Sequence, residues 1–109
     1  MKEINKIADF LISGDESLEN VLELMEKGGE RILLVVDKNN RLLGTITDGD
    51  IRRELISSGL KASSNAQKIM NSSPFSSTNK DKLNWKKLFL EHDIEHLPIC
   101  NEDKTVEKI

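Results

Sequence analysis

Cysteine is nearly absent: Cys100 is the single one in 109 residues. A lone thiol closes no internal disulfide and cannot by itself build a structural zinc site. Nothing here demands an oxidising compartment. Long hydrophobic runs are also missing, so no segment has the length needed to cross a bilayer. The start, Met1 to Lys6, leads only into a short apolar stretch interrupted by Asp9. It lacks the core of a secretory signal. The expectation is a soluble, cytoplasmic chain with no membrane partner. An excess of basic charge is missing too. Lys and Arg total 16 against 19 Asp and Glu, for a net charge of -3. Chains that live on duplex DNA are usually basic, so general nucleic-acid binding is disfavoured, although a short basic stretch can still hold one phosphate. Serine pairs recur at 57–58, 63–64, 72–73 and 76–77. None sits in a nucleophile elbow, and turns account for them better. With no nucleophile–base pair and no clustered acids, the chain is not expected to be an enzyme.

What is present is a patterned core. Apolar residues make up 37% and charged residues 32%, enough for one compact domain or two small halves sharing a core. Leu18, Val21, Leu22 and Met25 fall on one helical stripe. Ser17 or Asp15 can cap its start, and Gly28-Gly29 can end it. Ile32 to Val36 is a continuous apolar run of strand length. Asp37 to Asn40 is a polar turn, and Leu42 to Thr47 reads as the second strand of a hairpin. Asp48-Gly49-Asp50 breaks that strand. A helix follows with Ile51, Leu55 and Ile56 on one side, ending near Ser57 to Gly59. Lys61 to Gln67 is polar and reads as a linker. Lys82 to Glu91 is helical with Trp85, Leu88 and Phe89 inward. Leu97 to Cys100 is a strand, Asn101 to Lys104 a turn, and Thr105 to Ile109 opens another strand.

The second half repeats the first. Displacing the early residues by 64 positions puts Val21 on Trp85, Leu24 on Leu88 and Met25 on Phe89. It also puts Leu33 on Leu97, Val35 on Ile99, Val36 on Cys100 and Leu42 on Val106. The apolar pattern survives without a gap, and so does the order of elements. The expected fold is α/β (α+β): two βαββα-like units, residues 1–66 and 67–109, related by pseudo-twofold symmetry. Partners of Thr47 and Asp50 would fall past Ile109, so the second unit is expected to be incomplete and the chain to be an N-terminal piece of a longer protein. The expected core is Val21, Leu24, Met25, Leu34, Val36, Ile46, Trp85, Leu88, Phe89, Leu97 and Ile99.

Gly44-Thr45-Ile46-Thr47-Asp48-Gly49-Asp50-Ile51-Arg52-Arg53 marks a strand running into a helix. Such a junction presents free backbone N–H groups and the positive end of the helix dipole, a natural seat for phosphate. Thr47 can donate its hydroxyl to a phosphate oxygen. Asp50 can accept from two neighbouring ribose hydroxyls, and Arg52 and Arg53 carry forked donors suited to phosphate. The same Thr47-x-x-Asp50 spacing equally describes a helix capping box, with both arginines as solvated surface residues. Other constellations are weaker. Asp48, Asp50 and Glu54 lack the oxygen ligand and glycine that an EF-hand needs where Arg52 and Arg53 stand. His92 and His96 are four apart, but the helix is expected to end between them, so no metal site is expected. Cys100 reads as a buried, inert thiol, and Trp85 as core.

The order helix, hairpin, then Gly44 to Asp50 resembles a CBS domain, named after cystathionine β-synthase. That family's fingerprint is a glycine and a hydrophobic strand, then Thr or Ser, two residues, and Asp. The second unit is similar at Ile69-Met70 and at His96-Leu97-Pro98-Ile99. It departs from the pattern in carrying no Thr-x-x-Asp of its own. The resemblance implies a tandem pair packed sheet against sheet, with a cleft that binds an adenosine nucleotide. It places ligand-binding residues at Thr45, Thr47, Asp50, Arg53, His96 and Pro98. AMP, ADP or ATP would be a regulatory ligand and not a catalytic cofactor. The longer string Thr47 to Arg53 is similar to versions found beside arabinose-5-phosphate isomerases and sugar nucleotidyltransferases. A CBS pair that begins at Met1 favours a nucleotidyltransferase placed downstream. The resemblance also implies a homodimer; a dimerisation module with an empty cleft is the other functional reading.

Overall fold

Five apolar residues in a row can all be buried only where a strand is covered on both faces. The computed structural model, which describes residues 3–58, 64–92 and 94–109, places Ile32 to Val36 in such a position. They form β2 (Ile32–Val36), the middle strand of a three-stranded sheet. A short 3-10 turn at Ala8–Phe10 leads into β1 (Leu11–Ser13), which runs parallel to β2. On the other side β3 (Leu42–Thr47) pairs antiparallel. Strand side chains alternate between faces. Leu33 and Val35 therefore join Val21 and Met25 of α1 (Leu18–Gly28), and they meet Ala66 and Ile69 of α3 (Ala66–Ile69) as well. Ile32, Leu34 and Val36 face the opposite way and pack against Cys100, Val106 and Ile109. Those three belong to the second half, so β2 is the layer on which the two repeats meet. Helix α2 (Asp48–Ser58) continues directly from β3.

The second sheet copies the first. Strand β5 (Ile99–Cys100) lies between a parallel β4 (Ser77–Thr78) and an antiparallel β6 (Val106–Lys108). Helix α4 (Lys82–Glu91) covers it, with Trp85 buried on Leu97 and Ile99. The 64-residue displacement holds down to single bonds. Val36 pairs with Leu42 and Val35 with Gly44, with a bulge between; Cys100 pairs with Val106 and Ile99 with Lys108, with the same bulge. Ser17 caps α1 by accepting from the Asn20 amide, and Asp81 caps α4 by accepting from the Asn84 amide. The left-handed residues Asn40 and Lys104 occupy equivalent turns. Those turns bond to each other reciprocally: Leu42 N–H donates to Lys104 C=O at 2.9 Å, and Val106 N–H donates to Asn40 C=O at 3.0 Å. Such an exchange between equivalent residues is what a pseudo-twofold axis produces.

The repeats also interlock. The segment after α3 returns to the first sheet, where Asn71 and Thr45 exchange backbone hydrogen bonds of 3.1 and 2.8 Å. The N-terminal segment lies on the second sheet, where Ile4 and Ile109 exchange bonds of 3.0 Å. Lys108 Nζ also donates to Glu3 there, at 2.5 Å. Ile109 thus stands where Thr45 stands in the first repeat.

Several expectations need correction. Within Lys61 to Gln67, residues 61–63 lie outside the described residues, and Ala66-Gln67 begin α3 rather than a linker; Asn65 caps it by accepting from the Lys68 amide. The expected strand Leu97 to Cys100 is ordered as strand only at Ile99–Cys100. Pro98 has no N–H for the ladder, though its carbonyl accepts from Ser77 N–H at 3.1 Å. Thr105 and Ile109 fall outside β6. Helix α2 starts at Asp48, inside the segment read as a break. Leu24, Leu88 and Phe89 are half-buried flanks of the core rather than its centre. Leu22, Leu55 and Ile56, read as lying on apolar helix faces, are exposed at 44%, 54% and 80%.

Candidate ligand site

Because β3 runs into α2 without a loop, Thr47 is both the last strand residue and the residue before the helix. A helix start leaves its first amides without an intrahelical acceptor. Thr47 and Asp50 answer this reciprocally. The amide and hydroxyl of Thr47 both donate to Asp50 Oδ2, at 2.9 and 3.0 Å. The Asp50 amide donates to Thr47 Oγ1 at 3.4 Å. The capping box is therefore formed. Asp50 is nevertheless more than a cap. It is buried, and its other oxygen, Oδ1, accepts from Arg53 Nη1 at 2.9 Å.

A cavity of about 450 Å³ opens over this junction. Thr45, Thr47, Asp50 and Arg53 line it from the first repeat, and His96 and Pro98 line it from the second. All six residues that the sequence singles out come together there, with Arg52 and Gly49 beside them. Arg31, Asn71, Pro74, Phe75 and Glu95 also line it and were not anticipated. The repeat held the signal for the second-half residues: any cleft between the units must be walled by the second unit's entry segment. Arg31 gave no local signal. It reaches the wall because the chain turns through a left-handed conformation there (φ 60°) on leaving α1.

The wall charges are mixed. Arg31 Nε lies 3.7 Å from Asp48 Oδ2, an exposed pair worth little on its own. His96 Nε2 sits 3.6 Å from Glu30 Oε2 in a more sheltered place. Arg52 has no ion pair among the described residues. An anion placed here would meet Arg52, the Thr47 hydroxyl and the α2 N-terminus, while Asp48 and Asp50 would repel it unless their partners stay in place.

His92 stacks on Phe75 whereas His96 faces Glu30, so the two histidines have different partners. Among the described residues no three His, Cys, Asp or Glu side chains are grouped to hold a metal ion. Burial pushes the Cys100 thiol up to about 11, with Glu107 adding to the effect, which leaves it protonated and unreactive near neutrality. Trp85 is core, its indole N–H donating to Thr78 C=O at 2.7 Å. No helix among the described residues is long and apolar enough to cross a membrane.

Known proteins share this architecture. CBSX2, solved in complex with AMP, is 21% identical with a TM-score of 0.77, over 97% of this chain and 84% of that one. Protein MJ1225 from Methanocaldococcus jannaschii is 23% identical with a TM-score of 0.79, over 95% of this chain and 44% of that one. At these identities the likeness is one of fold. An uncharacterised protein of Helicobacter pylori (strain J99) is 36% identical over 97 residues, which is 87% of this chain. The chain spans only 29% of that relative's length. The model of the CBS domain matches residues 3–57, half of the chain, including the whole junction from Gly44 to Arg53. The chain belongs to the CBS domain family.

Proposed function

We propose that this chain is a regulatory, non-catalytic module that binds an adenine nucleotide in the cavity above α2 and thereby controls an attached enzyme. The observation that carries the reading is the composition of that cavity. One wall is the Thr47-to-Arg53 junction of the first repeat, and the other is His96 and Pro98 of the second. A ligand held by both walls fixes the two repeats relative to each other. Binding one arrangement better than another shifts whatever is attached. The volume falls within the roughly 300–1,000 Å³ range of small-molecule pockets. In this reading the Thr47 hydroxyl turns from Asp50 Oδ2 to a phosphate, Asp50 is thereby freed to accept from the ribose hydroxyls, and Arg53 adds positive charge. Thr45, His96 and Pro98 shape the walls. The AMP complex of CBSX2 supports an adenine nucleotide as ligand. The module works in the cytoplasm, where such nucleotides are available. The resemblance of Thr47-Asp48-Gly49-Asp50-Ile51-Arg52-Arg53 to modules beside sugar-phosphate enzymes makes a sugar-phosphate nucleotidyltransferase the proposed host.

Calorimetric titration with AMP, ADP, ATP and CMP tests this. The parent is expected to bind at least one adenine nucleotide with one site per chain. Asp50→Ala should weaken it at least tenfold, because up to two charge-assisted hydrogen bonds are lost at roughly 1.5–3 kcal/mol each. Arg53→Ala should weaken ADP and ATP more than AMP. If Asp50→Ala melts early yet binds like the parent, Thr47-x-x-Asp50 is a helix cap only. A second reading, dimerisation with an empty cleft, is favoured by the exposed apolar residues of α1 and α2 and predicts no nucleotide binding by the parent.

A further inference from the structure

The two repeats carry equivalent helices of opposite charge. Within α1 the charges are Glu19, Glu23, Glu26 and Lys27, a net -2; within α4 they are Lys82, Lys86, Lys87 and Glu91, a net +2. The 64-residue displacement puts Glu23 on Lys87 and Lys27 on Glu91, so the pattern is inverted position by position. On α4, Leu83 and Leu90 are exposed at 85% and 81%. Lys86 and Lys87 follow Leu83 by three and four residues, so the four share one exposed face, opposite the buried Trp85. A second copy that set α4 on α4 would bring Lys86 and Lys87 against their own images. Setting α1 on α1 would do the same with its glutamates. Like charges facing each other disfavour both arrangements, whereas α1 against α4 of a second copy sets acid on base. About one twofold axis that contact forms twice.

The first repeat also offers a groove for the leucines. It lies between α1 and the start of α2, with a volume of about 410 Å³. Leu22, Met25 and Ile51 give it apolar surface, and Glu26 and Asp48 give it acid. Arg31 is the only base among its described lining residues, and its Nε lies 3.7 Å from Asp48 Oδ2. Arg31 and Asp48 line the ligand cavity as well, so this ion pair belongs to both walls. An anion in the cavity competes with Asp48 for Arg31. Asp48 then offers its charge to the groove, which attracts Lys86 and Lys87 more strongly.

We infer that the groove between α1 and α2 receives α4 of a second copy, so that unlike repeats pair, and that an anion in the ligand cavity tightens this pairing through Arg31 and Asp48. The pairing stands on the helix charges and the groove; its response to an anion rests on the ligand reading above.

Sedimentation equilibrium near the midpoint of association tests this, with melting temperatures recorded for every variant. The parent is expected to dimerise. Lys86→Glu together with Lys87→Glu should weaken the dimer at least about tenfold, because both copies of the contact turn repulsive. Glu26→Lys alone should weaken it about two- to tenfold. Added to the double variant, Glu26→Lys should instead strengthen association at least about threefold, since opposite charges face each other again. Arg31→Ala should tighten the parent about two- to tenfold with no ligand present. AMP should tighten the parent by a similar factor and leave Arg31→Ala unchanged. All these side chains are exposed, so melting temperatures should stay close to the parent's. The pairing is overturned if the parent stays monomeric, if the double variant associates like the parent, or if Glu26→Lys fails to rescue it. The coupling is overturned if Arg31→Ala associates no more tightly than the parent. If AMP binds without tightening the parent, the coupling is wrong while the ligand site stands. If AMP does not bind, the ligand reading fails, and the charge variants and Arg31→Ala still decide the pairing and the role of Arg31.

Discussion

Asp37 and Asn101 hold equivalent turns with different side chains. Asp37 Oδ1 accepts from the amides of Asn39 and Arg41 at 2.8 and 3.0 Å. Asn101 Oδ1 accepts from those of Asp103 and Thr105 at 3.2 and 3.0 Å. The neutral amide shows that the turn needs an acceptor and not a charge. The Arg41 backbone N–H, assisted by that of Asn39, holds the Asp37 carboxyl below its ordinary 3.8. A depressed carboxylate pKa stabilises the fold above the unfolded value, and the contribution fades as pH falls through the folded value. Asp37→Asn is therefore expected to melt within a few degrees of the parent at pH 7. Any advantage of the parent should begin to shrink as pH falls below about 4 and vanish only below the lowered value of the folded carboxyl. Asp37→Ala, which removes the acceptor, should melt lower at both. Thermal melts across pH 3 to 7 check this; an Asn variant as damaged as the Ala variant would contradict it. Such turns were legible from composition alone. The role of Asp50 was not, because a helix start needs a cap whether or not a ligand sits above it.

At the scale of elements, Gly44 explains why β3 carries a glycine at its centre. A Cβ there would lie 2.6 Å from Asn71 O and 2.6 Å from Met70 Sδ. The methionine can swing away, but the Asn71 carbonyl is fixed by its exchange of hydrogen bonds with Thr45. Gly44→Ala is expected to cost about 1–3 kcal/mol, read as a lower urea midpoint. It should also weaken ligand binding, because Asn71 is displaced from the cavity wall. A variant with the parent's midpoint would show that the crossing segment is loosely held. That segment also marks where sequence reading stopped. Helix α1 and strands β2 and β3 were legible, since 11, 5 and 6 residues suffice to display a period or a continuous run. Strands β1 and β4 and helix α3 have only 3, 2 and 4 residues. They exist because a neighbour holds them, β1 and β4 through parallel pairing with a central strand and α3 through its Asn65 cap and its packing on β2.

At the scale of the whole molecule, the two repeats share one interior. Cys100, Val106 and Ile109 bury the inner face of β2, and each repeat's entry segment is bonded to the other repeat's sheet. The repeat itself was legible because the apolar positions recur at a displacement of 64, and both hairpins share a bulge and a left-handed turn at the matching positions. The crossing of the entry segments was not, since it depends on contacts far apart in sequence. The radius of gyration of 13.6 Å is that of a compact chain of this length. Even so, Leu22, Leu55, Ile56, Leu83 and Leu90 remain exposed on the helices. We propose that a closed twofold dimer covers part of this surface, as is common for small chains with apolar faces. Light scattering should then give twice the 12.3 kDa chain mass, and a monomer at high concentration would refute the dimer. The central claim is that the cavity between the repeats is a nucleotide site, and the most direct test is titration of AMP into the isotope-labelled chain followed by amide chemical shifts. The account predicts saturable shifts at Thr45, Thr47, Asp50, Asn71 and His96, with Leu83 and Leu90 of α4 unmoved. An unchanged spectrum at saturating AMP, or shifts confined to the outer helix faces, would contradict it.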